Sequence, residues 1–410
     1  MKFVKRAILT CSVFLLINCS DEKDIDKTDV LAVKQIGQVL YNPFQSDYIT
    51  LTPYISSDLQ IYNSNEIIVG NRNHPDNKPF GDYMTDYVYF TSFNNILEKN
   101  FEKYPVGNLI NTTIRSKLKV INGEIYLLYA FSYDLYTIKT KLLKLNSDGN
   151  VLFDYPLLDN LDYTDIIIID NKFYLVSAGF GISNYADEIE LGLTILDKNG
   201  NILNTIFYKD YNYSSNIITV NNQLFISSTK FIEYNINKPV VLKTDLKGNF
   251  ISETAIDNFE VNPTSILFPY YIRKGTDAIY SVSKGYSYST TNVIAKLDFS
   301  GQIIWNKSFK IDSFPYRDFE FIEDFELDNS NNLYLFGSVN EQVGFGPRRI
   351  AIAKYNSKGN FVKSYIHKKG DEPQWGKCLE IYNDEIFTTA WTSPLGGIIL
   401  TKFDLNLNVK

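Results

Sequence analysis

Histidine and cysteine are almost missing from this chain of 410 residues, which holds two of the first and three of the second. His74 and His367 lie far apart in sequence. A histidine-based zinc site or a Ser-His-Asp relay is therefore hard to assemble, and both read as surface loop residues. Of the cysteines, Cys11 and Cys19 fall in a leader-like N-terminus, which leaves Cys378 without an internal disulfide partner. Cys378 reads as a small buried apolar residue in a strand. The formal net charge of −7 argues against nucleic acid, whose phosphates demand a basic face. No phosphate-cradling loop, Gly-x-Ser-x-Gly elbow or His-Glu-x-x-His helix occurs, and no segment keeps a helical period. Neither a catalytic set nor a metal site is expected.

The first residues are informative. Lys2, Lys5 and Arg6 precede an apolar run from Ala7 to Ile17, too short to span a bilayer and suited to a secretory leader. The run ends in "LINC", which resembles a bacterial lipobox with Asn18 where a small residue is usual. Cys19 would then carry the lipid. "SDEKD" (20–24) is similar to the acidic export tag of Bacteroidota-type surface lipoproteins. The expected layout is a leader over 1–18, a disordered polar tether over 19–32 and a folded domain over 33–410. Localisation at the outer membrane, exposed on the cell surface, follows from that reading.

The body of the chain repeats itself. Asx-x-x-Gly recurs with glycines at 149, 200, 248, 301 and 359, and a degenerate copy has Leu407 in the glycine's place. An Asx side chain favours the first position of a type I turn, and the glycine accepts the left-handed conformation that closes it. A second phrase, typified by "NGEIYLLYA" and "DNKFYLVSA", alternates with the first in seven copies. The spacings are near 50 residues, with four strand candidates per unit. Thirty Tyr and 28 Phe suit strands. Such periodicity predicts an all-β, seven-bladed β-propeller with four-stranded antiparallel blades. The last unit is one strand short, and "VKQIGQVLYN" (33–42) is a spare strand, so the ring is expected to be closed by this N-terminal strand.

The K-x-[DN]-x-x-G-[NQ] repeat resembles that of β-propeller lipoproteins of Bacteroidota, over roughly residues 55–410. That likeness implies a fold and an address and says little of activity. Only Trp305 stands where quinoprotein repeats carry a docking Trp, so no cofactor is expected. The "DNSNN" stretch (328–332) reads as a hairpin and not as a calcium loop.

Loops that share one face of a propeller hold the candidate binding residues: Tyr83, Tyr213, Tyr316, Arg348, Trp375 and Trp391. Aromatic platforms beside Arg and Asp suit sugar stacking or a protein interface. A monomeric, non-catalytic module for a glycan or protein ligand is the first expectation, with the lipid as its sole membrane contact. An extracellular carbohydrate-active enzyme with paired carboxylates near the axis is the alternative. A scaffold of an envelope complex is the third.

Overall fold

The computed structural model describes residues 33–36, 55–62, 66–73, 85–94, 99–110, 113–132, 138–179, 190–233, 236–256, 267–285, 292–309, 321–340, 348–367, 374–392 and 398–410. Apart from turns, bends, short irregular links and one isolated bridge, the described residues are strands. The first, β1, is Val33–Ile36. A first blade follows with β2 (Ile55–Tyr62), β3 (Glu66–Asn73), β4 (Thr85–Phe93) and β5 (Lys99–Ile110). The second holds β6 (Thr113–Ile121), β7 (Glu124–Ser132), β8 (Ile138–Leu145) and β9 (Val151–Tyr155). The third holds β10 (Leu161–Ile169), β11 (Lys172–Gly179), β12 (Leu191–Leu196) and β13 (Ile202–Tyr208). The fourth comprises β14 (Tyr211–Val220), β15 (Gln223–Glu233), β16 (Ile236–Asp245) and β17 (Phe250–Ala255). The fifth comprises β18 (Leu267–Lys274), β19 (Ile279–Gly285), β20 (Asn292–Leu297) and β21 (Ile303–Phe309). The sixth comprises β22 (Phe321–Leu327), β23 (Leu333–Asn340), β24 (Arg348–Tyr355) and β25 (Phe361–Ile366). Last come β26 (Gln374–Tyr382), β27 (Glu385–Thr392) and β28 (Ile398–Asp404).

The strand order corrects the expectation of a seven-bladed propeller. Six blades are built as units of four consecutive antiparallel strands. The C-terminal strands form a further sheet of different construction, ordered β1-β28-β27-β26, whose outermost strand comes from the other end of the chain. Its pairing runs from Val33 opposite Thr401 to Ile36 opposite Ile398. The rest of the spare strand expected over 33–42 lies outside the described residues.

Local chemistry dictates the hairpins. In the turn at Asp245, its Oδ1 accepts the amides of Lys247 and Asn249 at 2.8 Å each, and the Gly248 amide donates to its carbonyl at 3.0 Å. The turns at Asn146, Asp197, Asp298, Asn356 and Asp404 repeat the pattern. The first hairpins of several blades are tighter. Asn122-Gly123, Asp170-Asn171, Asn221-Asn222 and Asn383-Asp384 all have positive φ, the signature of type I′ turns, which match the twist of paired strands.

Between neighbouring sheets lie apolar layers. One joins Tyr174, Val176 and Leu193 of the third blade to Ile217, Leu224 and Leu242 of the fourth; another joins Tyr334 and Ile352 to Leu379 and Phe403. The Asx turns take part in this docking. Tyr208 Oη donates to the Gly248 carbonyl at 2.7 Å, and Thr254 Oγ1 to that of Gly301 at 2.5 Å. Trp305 packs its ring onto Gly359, where an added Cβ would sit 2.7 Å from it. That glycine answers two demands, a φ of +73° and a close aromatic neighbour. At Gly301 (φ +96°) the nearest atom to such a Cβ is 3.4 Å away. Gly301→Ala should therefore cost about 1 kcal/mol, from the left-handed backbone alone. Gly359→Ala should cost about 2–4 kcal/mol, because the rigid indole must also move. Urea midpoints of the two variants check this, and equal losses would contradict the docking role of the turn.

Candidate functional site

Seven inner strands, one from each sheet, surround the axis. Each pairs antiparallel with the strand that follows it, and in six of the seven the connecting hairpin is described and spans two to five residues. Their succession β2, β6, β10, β14, β18, β22, β26 returns to β2, which touches both β6 and β26. In six of them a register shift falls immediately before the same structural position, held by Asp58, Asp165, Asn216, Tyr271, Asp324 and Cys378. Such a bulge re-aims the residue that follows it. On β6 the corresponding residue, one before the buried Leu118 as Asp58 is before Leu59, is Lys117.

These side chains bond to the next strand around the axis. Asp58 Oδ2 accepts the Leu118 amide at 3.1 Å, and Asp165 Oδ2 accepts the Ile217 amide at 3.0 Å. Asn216 Oδ1 accepts the Ile272 amide at 3.1 Å, and Asp324 Oδ2 accepts the Leu379 amide at 3.0 Å. The other junctions are bridged by side chains. Lys119 meets Asp165 at 3.0 Å, and Arg273 reaches Asp324 at 2.9 Å and Glu326 at 2.5 Å. The Cys378 thiol points at Asp58 Oδ1 from 3.7 Å. Lys117 crosses the channel: it lies 3.5 Å from Asp58 on one side and 5.6 Å from the Tyr271 ring centroid on the far side.

Below this level, toward the hairpins, the channel widens into a cavity of about 400 Å³. One side carries Arg273, Glu326, Glu380 and Gln60, and the other carries Ile167 and Ile218 together with Asn216 and Thr219, while Lys117 and Lys119 also line the space. Burial pushes the Asp324 carboxyl up to about 6, Arg273 opposing and Glu326 adding to the shift. Burial also pushes Glu380 well above the ordinary carboxylate range; Glu326 adds to this, Arg273 opposes it, and Asp324 and Asp58 reinforce it. Asp165 behaves in the opposite way. Its complete burial disfavours charge, but Lys119, Lys117 and the Ile217 amide together hold it below the usual value. Among the described residues, no group of three His, Cys, Asp or Glu side chains could hold a metal ion.

Of the residues expected from the sequence, four fall in described strands and sit near the strand ends at the opposite rim. Arg348 opens β24 and Trp375 lies near the start of β26, with the guanidinium 5.4 Å from the indole centroid. Trp391 stands directly across from Trp375 on β27. The fold thus gathers three of the six. Tyr213 is on β14, away from them, and the side chains of Tyr213 and Trp391 are outside the described residues. Tyr83, Tyr316, His74 and Cys19 also lie outside them. Cys378 is buried in β26. His367 is a correction: it is buried instead of sitting on a surface loop, because its amide extends the pairing with Ile350 (2.9 Å) and its Nδ1 meets Tyr365 Oη at 3.3 Å. At Asp328 the carboxylate oxygens are taken by Ser330, Asn332 and Tyr334, as a hairpin requires. The axial residues were not singled out from sequence, although "SSDL", "YTDI" and "IEDF" share an Asp before the apolar residue of an inner strand.

No family model matches the chain, and no curated relative does. Among solved structures, puromycin hydrolase aligns over 90% of this chain and 55% of its own length, at 9% identity and a TM-score of 0.55. The β-propeller domain of the Trilobed protease from Pyrococcus furiosus, described as having an open velcro topology, aligns over 86% of this chain and 98% of itself, at 10% identity and 0.50. A subtype N10 neuraminidase-like protein of A/little yellow-shouldered bat/Guatemala aligns over 73% of this chain and 95% of its own, at 10% identity and 0.48. The chain has the β-propeller fold, and its structural neighbours include neuraminidase-like and protease propellers. At these identities the likeness is one of fold.

The axial carboxyls set a pH dependence. Glu380 holds its proton more tightly folded than unfolded, so folding takes up a proton in the window above the ordinary carboxylate value. Stability contributed by the protonated form is present below that value and is lost as pH rises through the folded one. Glu380→Gln should leave stability near pH 4 unchanged and raise it near pH 8. Urea unfolding at both pH values checks this; the same pH slope in both proteins would contradict it.

Proposed function

We propose that the chain is a lipid-anchored propeller at the outer-membrane surface whose loop-bearing rim binds a glycan or protein ligand without transforming it. The observation that carries this reading is the Arg348–Trp375 pair with Trp391 across from it. A cation over an indole face makes a flat platform that is apolar on top and hydrogen-bonding at its edge. Sugar rings present the matching C–H face and hydroxyl rim, and protein loops can do the same. The leader-like residues 1–18, Cys19 and the polar stretch to residue 32 support the anchored, surface-exposed address.

The carbohydrate-active alternative has carboxyls at the axis to draw on. Hydrolysis needs an acid and an ionised partner across the substrate. Arg273 already holds both Asp324 and Glu326, and Lys117 holds Asp58, so among the described axial carboxyls the partner role has no unengaged candidate beside Glu380. The envelope-scaffold reading would use the same rim for a protein. A glycan array and a pull-down with the purified protein test the proposal. Trp375→Ala should weaken binding by at least about tenfold, the loss of one aromatic anchor. Unchanged binding by that variant, or no ligand in either assay, would count against it.

A further inference from the structure

The hairpin-side cavity is separate from the rim and has a chemistry of its own. Its cations are engaged: Lys117 by Asp58, Lys119 by Asp165, and Arg273 by Asp324 and Glu326. Glu380 is the carboxyl without such a partner. Among the described residues its one hydrogen bond comes from Gln60 Nε2, at a long 3.5 Å. Across the cavity stand Ile167 and Ile218, one from each of two adjacent inner strands, with Asn216 and Thr219 beside Ile218 and Lys119 on the strand next to Ile167. A half-open space with a carboxyl lacking an ion-pair partner on one side and isoleucine surface among the lining of the other is complementary to a cation that bears a short hydrocarbon tail. A cavity of about 400 Å³ holds a molecule of several heavy atoms, and a compact ammonium reaches a carboxylate more readily there than a planar guanidinium does.

We propose that this cavity binds a small primary amine, with its ammonium group against Glu380 and its alkyl chain along Ile167 and Ile218. No covalent step is involved. The amine enters as the ammonium ion, Glu380 gives up its proton to solvent, and the resulting pair replaces a neutral acid.

Titration calorimetry of the full chain with n-butylamine, n-butanol and n-butyrate tests this. Butylamine should bind, and repeating the titration in two buffers of different ionisation enthalpy should reveal a proton released on binding. Butanol and butyrate should bind at least about tenfold more weakly, since they lack the charge or carry the wrong one. Glu380→Gln keeps the shape and removes the charge, and it should lose the same factor. Ile218→Phe should also lose it by filling the space while sparing Glu380. Should either variant fail to fold, the three-ligand comparison and the proton count on the native chain still decide. Equal binding of butanol, wild-type affinity in Glu380→Gln, or no binding of butylamine up to about 10 mM would overturn the proposal.

Discussion

The fold depends on a hoop of polar contacts around its axis. Each inner strand donates to, accepts from or pairs with the next, from Asp58 and Leu118 through Asp165, Ile217, Asn216 and Ile272 to Arg273, Asp324 and Leu379, and back by Cys378 to Asp58. Backbone hydrogen bonds hold strands together within a sheet, but between sheets the inner edges would otherwise meet with unsatisfied amides. The axial Asp and Asn side chains satisfy them. Because these groups are buried, each bond is made in a low-dielectric setting where losing it is costly.

A second set of contacts repeats the logic at the periphery. The Asx turn of one sheet rests on the outer strand of the one before. Tyr208 and Thr254 bond to turn carbonyls, as do Lys243 with Ser300, Lys307 with Lys358 and Lys363 with Asn406. Apolar layers fill the space between these inner and outer fastenings. Sheets that could not stand alone thereby share their stability with two neighbours. The rim and the cavity are consequences of this build: the starts of the inner strands gather at one end, and the other end is left as a half-open walled space.

Hairpins were legible in the sequence because Asp245, Gly248 and their counterparts carry a local requirement that no other residues meet as well. The blade count was less legible. The repeated phrase records the hairpin between the first two strands of a sheet, and the seventh copy, β26–β27, belongs to a sheet that is completed from the chain's beginning instead of by four consecutive strands. The rim was partly legible, since Trp375, Trp391 and Arg348 flank loops that the topology brings together. The hoop was not. Its members are Asp, Lys, Asn, Tyr and Cys in turn, and the partners of Asp58, Asp165 and Asp324 lie 60, 52 and 55 residues away, where no local pattern points. Composition also misplaced His367, because burial of one histidine depends on what β24 and Tyr365 offer it.

The direct measurement is the stability of Asp165→Ala, read by urea unfolding together with amide exchange at Ile217. Removing this carboxylate strands the Lys119 ammonium and the Ile217 amide inside the protein. A loss of about 3–5 kcal/mol, with Ile217 exchange accelerated, is the result expected of a hoop that holds the strands together. A loss below about 1 kcal/mol with Ile217 still protected would mean that the axis is ornament and that the apolar layers alone close the ring.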